Sequence, residues 1–198
     1  MNQTHAPVVS LSKEEINALP LCGYDGDVRL VVSQADMAAA IDTLRTEKVL
    51  GFDTETRPSF KKAESHPPSI LQFAGANNVF VFQLSKVGSL QPLVPLLENP
   101  HILKVGVAPD MDMKHLHKLV WFRQAGLVDL FKIGSKAGLK QAGVRGLAAH
   151  MLGFRISKGA QCSNWSLPVL SHSQIRYAAT DAWVCREIYL KMKDCGWV

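Results

Sequence analysis

Five side chains hold the chemistry this chain could perform: Asp53 and Glu55 in LGFDTE, Asp112 in KVGVAPDMDMKHL, and Tyr177 and Asp181 in RYAATDA. Each acid falls where a carboxylate is hard to explain structurally, at the end of an apolar run or within an amphipathic helix. Gathered in one cleft, such carboxylates repel one another unless divalent cations sit between them. Hard oxygen donors of this kind suit the two-metal cleavage of a phosphodiester, in which a water is made nucleophilic and the leaving oxygen is neutralised.

Spacing says which of these side chains can act together. Acid-x-acid pairs arise by chance, and Asp25-x-Asp27, in a glycine-flanked turn, reads as one of them. Asp53-x-Glu55 differs because it ends the apolar run Val49-Leu50-Gly51-Phe52; in a strand, residues two apart share a face. The plainer alternative is a pair of solvated acids at a strand end. Asp112 opens a predicted helix behind Pro109, where both it and Asp110 could simply cap or complement the helix dipole. Spacing favours Asp112 as the inward residue, with Asp110 as its competitor. Tyr177 and Asp181, four apart on a predicted helix, lie one turn from each other on the same face. Their plainer alternative is a Tyr–Asp hydrogen bond on a half-buried helix.

The elements that must position these residues follow from periodicity. A capping box at Ser12 to Glu15 starts a short helix over 12–19, and a brief strand covers 30–32. Ser33 then caps a helix that carries Met37, Ile41 and Leu44 at helical spacing. Strands at 49–54, 69–74 and 79–84 are joined by links short enough for an antiparallel meander. Alternation follows: helix 90–97, strand 102–107, helix 110–119, strand 127–130, then helices at 147–152 and 173–193. A meander followed by strand–helix alternation predicts an α/β fold with a mixed sheet, antiparallel and then parallel, flanked by helices. The expected organisation is a leader with a short helix over 1–29 and a single domain over 30–198.

Bulk properties narrow the classes further. The 198 residues, 47% apolar and 20% charged, suit one buried core, and the formal charge of +5 alongside clustered acids suits a polyanionic partner. Cys22, Cys162, Cys185 and Cys195 show no CxxC pairing and read as reduced thiols. The opening MNQTHAPVVS lacks signal-peptide character, and no apolar run reaches bilayer length, so the expectation is a cytoplasmic protein with no membrane partner. His115 and His117, two apart, diverge on a helix and form no metal pair, while His150 packs or caps near a helix end. Lys132, Lys136 and Lys140 are spaced four apart, but Gly134 and Gly138 argue against a helix there, leaving a solvated face.

With three motifs in order on matching elements, the chain resembles the DEDD superfamily of 3′–5′ exonucleases, on the ribonuclease H-like fold. GFDTE matches the first motif, VGVAPDMD the second and YAATD the third. SILQFAG, LAAHMLG and CSNWS extend the likeness toward the branch containing the Werner syndrome protein exonuclease domain, within a subtype that also includes RNase D. The position five before the last acid, where a histidine subtype has its base, is Arg176, so the resemblance is to the tyrosine subtype (DEDDy). Aligned with the family, the second motif selects Asp112 over Asp110. Pro109, where a bulkier apolar residue is usual, and TRPSFKK after Glu55 depart from the pattern.

The resemblance implies catalytic roles for Asp53, Glu55, Asp112, Tyr177 and Asp181, with the four acids holding two divalent cations, Mg²⁺ or Mn²⁺. It implies that Asp53 bridges both ions, Glu55 and Asp181 complete the first site, and Asp112 supports the second. Tyr177 would stay protonated and orient the attacking water. The implied partner is a nucleic acid with a free 3′ end, single-stranded or recessed, and the activity is release of 5′-mononucleotides, from DNA first and from RNA as the alternative. A non-catalytic nucleic-acid-binding module on the same fold would be favoured by missing acids, and none is missing. Leu50, Phe52, Thr54, Phe73 and Trp165 are candidates for a stacking or apolar wall, though each also reads as plain core. Arg57, Lys61, Lys62, Arg155 and Lys158 are candidates for phosphate contacts.

Overall fold

The computed structural model describes residues 10–59 and 66–198, so the Lys61 and Lys62 candidates lie outside the described residues. Strands β1 (Asp27–Val31), β2 (Val49–Thr56), β3 (Pro68–Ala74), β4 (Asn78–Gln83), β5 (Leu103–Gly106) and β6 (Leu127–Asp129) form one sheet in the order β1-β4-β3-β2-β5-β6. β2, β3 and β4 pair antiparallel, while β1 on β4, β5 on β2 and β6 on β5 are parallel. The expected mixed sheet is therefore present, with β2, which ends in the Asp53 and Glu55 motif, at its centre. Its helices are α1 (Lys13–Ala18), α2 (Gln34–Leu44), α3 (Leu84–Val87), α4 (Val94–Leu97), α5 (Asp110–His117), α6 (Leu130–Lys136), α7 (Val144–Leu152) and α8 (His172–Asp194).

Alternation along β2 assigns its two faces. Leu50 and Phe52 enter a core with Met37, Phe73, Phe82 and Met113. Gly51 faces α8 instead, where an added Cβ would lie 1.9 Å from the Ala182 carbonyl oxygen. The absence of a side chain there lets the helix backbone approach the strand, and buried Ala178, Ala179 and Ala182 do the same from the helix side. A capping box between Ser171 and Gln174 fixes where α8 begins, and the helix packs against every strand from β1 to β5.

Three expectations change in detail. The helix expected over 90–97 is split into a 3-10 turn at Gln91–Leu93 and the short α4, because Pro92 and Pro95 each open a new turn. The stretch expected to be non-helical around Lys132 and Lys136 forms α6, started by Asp129, whose side chain accepts from the Phe131 and Lys132 amides. Gly134 is no breaker there; it is buried, and a Cβ would come within 2.7 Å of Leu147 on α7. Finally, β1 begins at Asp27, before the expected boundary at residue 30, and the leader is stitched to the domain. Cys22 N–H donates to the Arg155 carbonyl at 2.9 Å, Arg155 N–H to the Pro20 carbonyl at 2.9 Å, and Tyr24 N–H to Thr180 Oγ1 at 3.0 Å.

On β5, Lys104 is completely buried, and its ammonium donates to the carbonyls of Leu96 at 3.3 Å and Asn99 at 2.8 Å at the end of α4.

Candidate active site

Strand periodicity points Asp53 and Glu55 to the face covered by α8, and the close approach at Gly51 brings Asp181 down onto them. Ligand oxygens of Asp53, Glu55 and Asp181 all lie within 4.8 Å of one another. Among the described residues, no lysine or arginine forms an ion pair with any of the three. Asp181 is 4% exposed, and its Oδ1 is buried without a hydrogen-bond partner. A buried carboxylate oxygen with no donor, next to two more carboxylates, makes an oxygen donor set that suits a divalent cation.

The second-motif acids separate cleanly. Asp112 accepts a hydrogen bond from the hydroxyl of Thr54, which lies between the two motif acids in sequence and points to the opposite face of β2. Asp110 turns away and pairs with the Lys132 ammonium at 2.7 Å on an exposed edge. The turn that aims α5 contains Ala108 at φ 53°, a left-handed conformation that a non-glycine residue seldom adopts. Asp129 Oδ1 accepts the Ala108 amide at 3.0 Å while also capping α6. Asp129 and Thr54 are thus the groups that hold the Asp112 arm, a role for which the sequence offers no signal beyond the cap pattern at Asp129.

Electrostatics reflect the crowding. Asp53 is raised well above the usual carboxylate range by burial first, then by Asp181 and Asp112. Burial, then Asp53, Asp181 and Asp112, push Glu55 up to about 10. Asp181 rises to about 7 through burial, opposed by a hydrogen bond from Tyr177. Burial raises Asp112 too, and the Thr54 bond works against it. Tyr177 is pushed upward by burial and by the charges of Asp181 and Glu55, which keeps its hydroxyl protonated as expected. All four acids resist ionisation because they are buried, and Asp53 and Glu55 resist it further because their neighbours are acids; a divalent cation would offset both effects. Cys185, one turn beyond Asp181, is buried beside the same group, and burial pushes its thiol well up.

The expected wall residues fall elsewhere. Leu50, Phe52, Phe73 and Trp165 are all closed off within the core, at 1% exposure or less, and present no face to a base. Trp165 instead packs beside Tyr177, with ring centroids 6.0 Å apart, and so supports the tyrosine. The hydroxyl of Thr54 is committed to Asp112. Arg155 is committed to the leader, where its Nε donates to the Leu19 carbonyl at 3.1 Å. Arg57, just beyond β2, and Lys158 remain exposed cations. His150 Nε2 is buried without a partner, and burial lowers the ring's pKa.

Comparison with known proteins gives a consistent result. A family model described as 3′–5′ exonuclease matches residues 28–196. Ribonuclease D of Gluconacetobacter diazotrophicus is 32% identical over 167 residues, covering 82% of this chain and 42% of that protein. DNA polymerase I of Aquifex aeolicus is 28% identical over 168 residues, covering 85% of this chain and 28% of the polymerase. The crystal structure of the Aedes aegypti Nibbler EXO domain superposes with a TM-score of 0.79 at 22% identity, covering 87% of this chain and 91% of that one, a likeness of fold. The chain thus spans less than half the length of these two curated relatives.

Proposed function

Since the chain belongs to the 3′–5′ exonuclease family, we propose that it removes nucleotides one at a time from the 3′ end of a nucleic acid, by a reaction of the tyrosine subtype. The observation that carries this reading is the trio of Asp53, Glu55 and Asp181, with its unpartnered buried oxygen, under a protonated Tyr177. In this proposal Asp53, Glu55 and Asp181 hold one divalent cation, while Asp53 and Asp112 hold a second. The oxygen-only donor set favours Mg²⁺ or Mn²⁺ over zinc. Bound there, the ions supply Lewis-acid polarisation of the phosphoryl group, a more acidic water and charge neutralisation at the leaving oxygen.

The chain's own residues do the rest. Glu55 and Asp181 stay close enough together to fix the position of the incoming water between themselves and Tyr177. The Tyr177 hydroxyl, unable to ionise among these acids, donates a hydrogen bond and orients that water instead of removing its proton. Thr54 and Asp129 keep the Asp112 arm in place. Arg57, at the mouth of β2, meets a backbone phosphate. We take residues 30–198 as one catalytic unit with the leader strapped across it, in a DNA-degrading enzyme of the cytoplasm. Trimming of RNA is the second reading, favoured by the 32% identity to a ribonuclease D.

The test is a time course on 3′- and 5′-labelled oligonucleotides, single-stranded and recessed, in DNA and RNA versions, with Mg²⁺, Mn²⁺ or EDTA. The expected result is stepwise loss from the 3′ end, releasing 5′-mononucleotides only with metal. Internal cutting, 5′ loss, or activity persisting in EDTA would overturn the assignment.

A further inference from the structure

A second polar site lies where α1 meets the start of α7. Lys13, Ile16, Asn17, Gln141, Arg145, Gly146 and Lys158 line a cavity of about 150 Å³ there. Three of the lining side chains are cationic and none is acidic. Arg145 gives one terminal amino group to Asn17 Oδ1 at 2.7 Å, while its Nε is buried with no hydrogen-bond partner. A buried donor left unpaired costs free energy, so this one calls for an acceptor. The same pocket lies at the N-terminus of α7, a nine-residue helix whose Gly143 cap offers no side-chain acceptor to the first-turn amides. Those amides and the helix dipole add further positive potential. Three cations, an orphan guanidinium N–H and an uncapped helix start therefore all ask for an anion.

Chain connectivity ties the pocket to the carboxylates. Lys158 and Trp165 are seven residues apart, so even fully extended they lie within about 25 Å. The segment is in fact turned, with Gln161 N–H on the Lys158 carbonyl at 3.2 Å and Ser163 N–H on the Ala160 carbonyl at 3.0 Å. Trp165 in turn packs against the site, its ring centroid 6.0 Å from that of Tyr177. Phosphates recur about every 3.4 Å along a stacked strand, so that upper bound corresponds to about seven nucleotides, and the turns shorten it to fewer. Resting on the exonuclease reading, we infer that the Lys13–Arg145–Lys158 pocket is a phosphate exosite that grips the backbone of the substrate strand a few nucleotides from its 3′ end.

The experiment measures binding of a fluorescent 12-nucleotide single strand in EDTA, across a salt series, for wild type, Lys13→Glu/Lys158→Glu and Lys13→Arg/Lys158→Arg. Lys13→Glu keeps α1 intact because an acid suits the first turn of a helix. The charge-reversed protein should bind roughly fivefold or more weakly, and its salt slope should fall by about 1, whereas the arginine pair should bind like wild type. Inorganic phosphate, read by thermal shift, identifies the source of the anion. Should phosphate protect wild type alone while strand affinity and slope match in all three proteins, the pocket serves a free anion and the inference fails. It also fails if wild type does not bind the strand. Metal-dependent cleavage, measured separately, judges the exonuclease reading: a wild type that binds the strand without cleaving it defeats that reading and leaves the pocket standing.

Discussion

Lys104 and Asp181 are both buried, yet the fold treats the two charges in opposite ways. The Lys104 ammonium meets carbonyl oxygens of Leu96 and Asn99; burial lowers its pKa, but only to about 8. Asp181 is given Tyr177 and two further acids, and one of its oxygens faces no donor. At Lys104 local structure answers the buried charge, so the group serves the fold. At Asp181 the interior supplies only the Tyr177 hydroxyl, and the clustered carboxylates form a donor set suited to a divalent cation. Burial by itself therefore does not mark a working site; the marker is burial without compensation.

The sharpest way to break this contrast is Asp181→Asn. It should lower metal-dependent cleavage by at least about a hundredfold while leaving the metal-free fold as stable as before or more so. The sign of the pH effect follows from the upward shifts. The folded protein holds these protons more tightly than the unfolded chain does, so metal-free stability falls as pH rises. The loss begins above the unfolded carboxylate pKa and runs through about 7 for Asp181 and on toward about 10 for Glu55. Melting in EDTA from pH 5 to 9 should therefore trend downward in wild type and less steeply in Asp181→Asn. A flat wild-type profile would mean the acids are not crowded.

Gly51→Val comes next in size. Its Cβ would enter the space of the Ala182 carbonyl, so overpacking should cost about 1–3 kcal/mol and move α8 off β2. Activity measured on folded protein should fall more than stability alone explains, and retained activity would show that the strand–helix approach does not set the site. Lys104→Met works on the other side of the comparison. Stranding two carbonyls should cost about 1–3 kcal/mol in urea unfolding, with cleavage per folded molecule unchanged. Smallest of all, Asp110→Asn removes one exposed, solvent-screened pair with Lys132 and should leave both stability and turnover near wild type. A large loss of turnover there would mean that the wrong acid of DMD has been placed at the site.

What the chain reveals by itself divides along the same physical line. Asp53 and Glu55 are legible because period-two alternation acts locally, and Tyr177 and Asp181 because four residues make about one helical turn. The meander is legible from short links. Local pattern only leans toward Asp112 over Asp110, since both suit a helix start; what separates them is contact with Thr54 and with Lys132, which are distant in sequence. The role of Gly51 is equally hidden, because its reason is a carbonyl 131 positions away on α8. Gly134 misleads for the converse reason: intrinsic propensity argues against a helix, and packing on Leu147 overrides it. Aromatic residues near the motif proved to be core, since hydrophobicity alone cannot tell a stacking wall from an interior.

One consequence follows from α8 lying across five strands near the end of the chain. As the polypeptide leaves the ribosome, the two acids of β2 emerge well over a hundred residues before Asp181. A nascent chain therefore lacks the third carboxylate until α8 has docked on a finished sheet, so cutting competence would arrive only after that helix has emerged.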